Sequence, residues 1–228
     1  MSPHVRFTRS AGVDRRPRVQ QQEVAWIAAY RRAFLDFAVG SLVPVAFPRY
    51  ARVLHPAWAA DGAPVRWATV ASWAGRRMHA LVQWDLLSRA GVEPEGPAPF
   101  LGPPDTGGLP AAQLAVLANL LRASTTTPDR CSIGVWEGYG WGPDSEWATA
   151  PVLEPDQRTF LVRVGSIDLV PTIGRQGSVG ALPAQPPTII WPRDRAWFVA
   201  SDPDLDATYV GGTDALIESL LGCPDLDA

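Results

Sequence analysis

Residues 91–110 hold six prolines and five glycines in twenty positions. Proline removes a backbone donor and fixes φ, and glycine costs conformational entropy, so no helix or strand runs through such a stretch. The break divides the 228-residue chain into a helix-patterned part and a strand-patterned part. Ahead of it, Ile27, Tyr30, Phe34 and Phe37 recur at spacings of three and four and predict a helix over 22–39, with Arg32 and Asp36 as an i,i+4 pair on the opposite side. Gly40 and Pro44 end it. A strand over 50–55 is closed by Pro56. Pro64 suits a first helical turn, Trp67, Val70, Ala71 and Ala74 continue one helical face, and Gly75 stops it. Residues 81–88 read as another short helix.

Beyond the break a helix starts at Pro110 with Leu114, Leu117 and Leu121 on one side. Strands follow over 131–136, 159–164, 196–200 and 208–210, with a Gly/Pro-rich loop over 174–187 between the second and third. The last helix has the clearest ends: Thr213 as N-cap, Asp214 in the first turn, Leu216, Ile217, Leu220 and Leu221 as buried stripe, Gly222 at C′ and Pro224 after it. Helices first, then strands with a closing helix, predict an α+β fold in which N-terminal helices pack with a mainly antiparallel sheet. Residues 1–21 carry Arg6, Arg9, Arg15, Arg16 and Arg18 with little to bury and are expected to be a mobile basic arm. Residues 22–228 are expected to form one α+β domain containing the 91–110 loop, or two subdomains, 22–90 and 111–228.

Composition narrows the chemistry. All 20 basic side chains are arginine. Without lysine there is no P-loop lysine and no Schiff base to pyridoxal phosphate. Two cysteines and three histidines exclude a four-cysteine zinc or iron–sulfur site within one chain. No cofactor and no metal site are expected. A single asparagine, 32 alanines and 23 prolines point to a high-GC bacterial source. The net charge of −3 is unevenly spread: residues 1–90 carry 13 arginines against 5 acids, and residues 91–228 carry 7 against 18. The halves are expected to pack on each other and pair charges, the alternative being a basic face for an anionic partner. No stretch approaches the ~20 apolar residues that cross a bilayer, and the start lacks a signal-peptide apolar core. A cytoplasmic protein is expected, with Cys131 and Cys223 as two buried or inert thiols.

The most informative constellation is Trp136-Glu137-Gly138-Tyr139-Gly140-Trp141-Gly142. It leaves a strand and enters a glycine-rich loop with three aromatics and a carboxylate, residue types that stack on ligands or partners; core packing is the competing reading. Asp202, Asp204 and Asp206 begin like a calcium loop, but Ala207 stands where that loop needs glycine and Thr213 where it needs glutamate, so an acidic hairpin turn fits better. Gly211-Gly212-Thr213 reads as capping. Gly174, Gly177 and Gly180 form neither a dinucleotide fingerprint nor a nucleophile elbow. Arg76 and Arg77, with His79 beside them and His55 as a second imidazole, form a candidate anion clamp, with ion pairing to the acidic half as the default. Trp191-Pro192-Arg193-Asp194-Arg195-Ala196-Trp197 places arginine beside tryptophan, as a rigid corner or a recognition patch.

Several segments together, Ser41-Leu42-Val43-Pro44, Tyr50-Ala51-Arg52-Val53-Leu54-His55-Pro56, Thr126-Thr127-Pro128-Asp129, Val135-Trp136-Glu137-Gly138, Asp194-Arg195-Ala196-Trp197-Phe198-Val199-Ala200 and Thr208-Tyr209-Val210-Gly211-Gly212, resemble a set of uncharacterised proteins from high-GC bacteria, a resemblance that implies no activity. The strand–strand–Gly-Gly–helix ending also resembles the SUKH fold, whose members are mostly non-enzymatic interaction proteins, including toxin-immunity proteins.

The expectation is therefore a recognition protein that binds a protein partner or small ligand. Its candidate binding residues are Trp136, Glu137, Tyr139, Trp141, Arg195, Trp197 and His79, and no catalytic residue is assigned. A hydrolase using Glu137, or the three aspartates with a divalent metal, is the alternative. Nucleic-acid binding through the N-terminal arginines is the second alternative, against which the sequence pI of 5.6 and the acidic second half both argue.

Overall fold

A computed structural model describes residues 17–19, 21–30, 32, 38–89, 96–141, 145–155, 158–174 and 185–228. The fold is α+β. Seven strands form one antiparallel sheet: β1 (Arg49–Leu54), β4 (Cys131–Trp136), β5 (Val152–Leu153), β6 (Phe160–Gly165), β7 (Ile189–Pro192), β8 (Phe198–Ser201) and β9 (Ala207–Gly212), in the order β1-β9-β8-β7-β4-β6-β5. A two-stranded hairpin, β2 (Ala57–Trp58) with β3 (Pro64–Val65), stands apart from it. The helices are α1 (Gln21–Tyr30), α2 (Trp67–Trp73), α3 (Trp84–Leu87), α4 (Ala111–Ala123) and the closing α5 (Asp214–Leu221). None is long and apolar enough to cross a membrane, among the described residues.

Both faces of the sheet are covered. Ile133, Val135, Leu161, Ile190, Val199 and Val210 point to one side and pack with Leu114, Leu117 and Leu121 of α4 and Leu216, Ile217 and Leu220 of α5. Their sequence neighbours Val162, Ile189, Trp191, Phe198 and Ala200 point to the other side and meet Ile27 of α1 and Val43. A strand buried on both faces loses its polar alternation. Every residue of β7 and β8 is buried, and for that reason β7, a central strand, reads in the sequence only as a short apolar run before a proline. The very short β2, β3 and β5 are likewise absent from the sequence expectations.

β1 belongs to the first half of the chain and pairs over six residues with β9, from Arg49↔Gly212 to Leu54↔Ala207. The 22–90 and 111–228 segments therefore share one sheet. Arginines of the first half pair with acids of the second: Arg18 with Glu154, Arg49 with Asp214 and Glu218, and Arg66 with Asp227. This is the charge pairing that the uneven sequence suggests. Gly211 of β9 lies under the 39–47 segment, where an added Cβ would come within 2.6 Å of Phe47 and 2.8 Å of Val43. Close packing rather than turn geometry requires this glycine.

Several local expectations change. The first helix ends at Tyr30, which is exposed, and among its described side chains Trp26 and Ile27 turn inward. Phe34, Asp36 and Phe37 lie outside the described residues. Pro64 belongs to β3, and α2 begins at Trp67. Asp227 supplies an acceptor for the start of α2: its carboxylate takes the Trp67 amide at 2.7 Å from 160 positions away, while Arg66 holds the same side chain at 2.8 Å and the Leu226 carbonyl at 3.1 Å. In α5, Thr213 caps Leu216 as expected. Leu221, however, is exposed, and Gly222 stays right-handed at φ −86°, so its conformation does not itself demand glycine. Most of the N-terminal arm lies outside the described residues. Its end, Pro17–Val19, docks beside β5 through Val19 N–H to Val152 O and Val152 N–H to Pro17 O.

Candidate functional site

The Trp136–Trp141 turn follows directly from the end of β4, where Trp136 pairs with Phe160. Its backbone is fixed by the Glu137 amide to Thr159 O at 3.0 Å and by the Gly140 amide to Glu137 O at 3.0 Å. Gly140 closes the turn at φ +76°, a left-handed conformation that glycine adopts without strain. Tyr139 folds edge-on against Trp136, ring centroids 5.1 Å apart. Trp141 turns back, donating its indole N–H to the Trp136 carbonyl at 3.0 Å and resting on Trp147. Arg163 lies over the Trp147 ring and pairs with Glu146. Trp136, Glu137, Tyr139 and Trp141 are thus brought together, each half-buried.

Arg158 completes the cluster. Its guanidinium lies over the Trp136 ring, 5.3 Å from the centroid, and reaches Asp202 at 3.0 Å and Asp204 at 3.2 Å. Asp202 is 6% exposed and Arg158 16%, whereas Asp204 is 81% exposed. Asp202 also accepts the Asp204 amide at 3.0 Å, a local bond that shapes the β8–β9 turn. The acidic run is therefore a hairpin turn gripped by an arginine from the β5–β6 connection. Burial, and secondarily the Asp202 carboxylate, push the Tyr139 phenol up to about 12 against the opposing pull of Arg158. The phenol tip is close to Gly107, where an added Cβ would stand 3.1 Å from it. Segment 105–110 thus abuts both the aromatic turn and Pro203 of the acidic turn.

On its other side, segment 105–110 lines a cleft of about 350 Å³ with Leu114, Pro171, Ile173 and Pro186. None of the candidate residues drawn from the sequence lines it. The segment is anchored from within by His55, which is fully buried. Its Nδ1 lies 2.8 Å from the Asp105 carbonyl and its Nε2 3.0 Å from Thr208 Oγ1, which is 2.7 Å from Ser201 Oγ. A carbonyl only accepts, so Nδ1 carries the proton, Nε2 accepts from Thr208, and Thr208 accepts from Ser201. Burial lowers the His55 pKa to about 4. Its two ring partners and its lack of exposure make it an anchor inside the fold, and His79, exposed on the surface, does not join it.

The remaining candidates separate. Trp197 is fully buried and donates its N–H to Leu121 O at 2.9 Å. It ties α4 to the sheet and is unavailable to a partner, which corrects its place among the binding residues. Arg195, at φ +56°, stacks 4.7 Å from the centroid of Trp26; its aromatic neighbour comes from α1 rather than from its own segment. Asp194 accepts from the Thr125 and Thr126 hydroxyls and from the Thr126 and Ala196 amides. Burial acts to raise its pKa, but these bonds outweigh it and hold the carboxyl below its usual range. The 191–197 segment is a rigid corner.

Arg52 extends the charged band along the sheet, donating to Val82 O at 2.5 Å and opposing Tyr209 across the β1–β9 ladder. It counteracts the burial that raises both the Asp206 and Tyr209 pKa values. Sequence reasoning assigned no role to Arg158 or Arg52 because their partners, Asp202 and the Val82 carbonyl, lie on other turns and segments far along the chain.

The fold and site define an α+β protein with an antiparallel seven-stranded sheet and a half-buried aromatic and charged cluster at the β4 and β8–β9 ends. No family model, no curated protein and no solved structure matches the chain.

Proposed function

We propose that this is a cytoplasmic bacterial recognition protein whose binding surface is centred on Trp136, Glu137, Tyr139 and Arg158, with Asp204 at its rim. The observation that supports this reading is the placement of Arg158 between the Trp136 indole and the Asp202 carboxylate. A largely buried arginine and two half-buried aromatics, held in fixed geometry, combine the residue types of binding hot spots with a low ordering cost on association. The exposed Asp204 beside them adds a polar contact that selects orientation. The occupant is a partner protein or a small ligand with a flat or cationic group that lies on the Trp136–Tyr139 pair.

The test is affinity purification with the full chain as bait, followed by titration of the recovered partner against Trp136→Ala and Tyr139→Ala. Each variant is expected to raise Kd at least about tenfold while the circular dichroism stays that of the parent. Unchanged affinity in both folded variants would remove this surface from the function.

A further inference from the structure

The connection between α2 and α3 is held open as an exposed surface. α2 ends at Trp73, the chain turns at Gly75 with φ +62°, and residues 75–81 are all exposed. The two ends of the stretch meet, since Arg76 Nε donates to the Arg89 carbonyl at 3.4 Å. Its middle is pinned to the sheet by Arg52 on Val82 O, and Val82, Trp84 and Leu87 turn inward into the cluster around Trp67. Pinning those residues leaves their neighbours outside: Leu81 is 78% exposed, Leu86 57% and Met78 39%.

Arg76 and Arg77 precede these apolar side chains in the chain and Arg89 follows them, all three exposed, and among the described residues none of the three makes an ion pair. The one acid of the stretch, Asp85, lies near enough to Asp206 for its charge to act on that carboxyl. Three guanidiniums without an ion pair among the described residues, flanking exposed leucine and methionine, form a combination that folding alone does not call for. Burying those apolar groups favours association, and the cations select the sign of what covers them.

We infer that the segment 75–89 is a docking surface for an acidic partner segment that carries apolar side chains, distinct from the Trp136 surface. The partner places carboxylates on Arg76, Arg77 and Arg89 and leucine-like side chains against Leu81 and Leu86. Paired guanidinium–carboxylate contacts fix its register, and the apolar contacts supply affinity that persists in salt.

A fluorescein-labelled synthetic peptide of alternating glutamate and leucine is titrated against the full chain by fluorescence anisotropy, with glutamine replacing glutamate in a control peptide. Arg76→Ser with Arg77→Ser is expected to weaken binding about tenfold, and Leu81→Ser, at a site too exposed to affect folding, about threefold. Raising NaCl from about 50 to about 300 mM is expected to weaken the parent and leave the arginine variant nearly unchanged. Trp136→Ala is expected to leave peptide binding intact, which separates this surface from the one proposed above. Equal binding of the glutamine peptide, or no effect of the arginine and leucine changes, overturns the inference. So does binding only to vesicles containing phosphatidylserine, which would make the occupant a membrane, or self-association abolished by the arginine variant, which would make it a second copy.

Discussion

Arg158 reaches Asp202 across 44 positions of sequence and neutralises a carboxylate that the β8–β9 turn has taken out of water. One guanidinium thereby joins two surface features, the aromatic turn and the acidic run, that the sequence presents as unrelated.

That pairing makes the two ends of the acidic run unequal. Arg158→Ala leaves the Asp202 charge buried without its partner and is expected to destabilise the protein by about 2–4 kcal/mol in urea unfolding, discounted for the partial exposure of the arginine. Asp204→Asn, at an exposed site, is expected to stay within about 0.5 kcal/mol of the parent. Equal effects at the two positions would mean that Asp202 is not buried as described.

His55 gives the fold a pH dependence. Its folded pKa of about 4 lies below the unfolded value of about 6.5. Above the higher value the imidazole is neutral in both states and its contribution is fully present. Between the two values only the unfolded chain takes up the proton, so stability falls as the pH falls, by about 3 kcal/mol across the window, and this effect levels off below pH 4. Denaturation midpoints measured from pH 7 to pH 4 test it, and His55→Asn is expected to flatten that part of the profile.

The two cysteines differ in reactivity. Burial, reinforced by Asp194 and Asp129, pushes the Cys131 thiol up to about 12, so at neutral pH it is protonated as well as inaccessible. Cys223 is half-exposed. A thiol reagent at pH 8 is expected to label one cysteine in the folded protein and two after denaturation, with Cys223 as the early site by peptide mapping.

The last residues hold the second helix. Asp227→Asn weakens the acceptor for the Trp67 amide and removes the charge opposite Arg66, and is expected to cost about 1–2 kcal/mol. Thermal melts of the two variants test this, and Asp225→Asn, two residues away and exposed, is expected to be silent in them.

How much was legible in the sequence follows the range of the forces involved. The helix from Pro110, the strand over 131–136 and the capped closing helix are set by neighbours in sequence, through apolar period, cap chemistry and chain breakers, and α4, β4 and α5 stand where those signals place them. The Pro/Gly-rich break and the uneven arginine content are equally plain, as is the glycine-rich loop after Trp136. Only the tertiary structure decided that Ile189–Pro192 is a central strand, because burial on both faces erases the alternation that marks a strand. It alone decided that Trp197 belongs to the core while Trp136 stays half open, since identical side chains differ only in what packs around them. The cluster itself depends on Arg158, and the start of α2 on Asp227. Both are single polar residues whose partners are close in space and distant along the chain, a relation that no local pattern encodes.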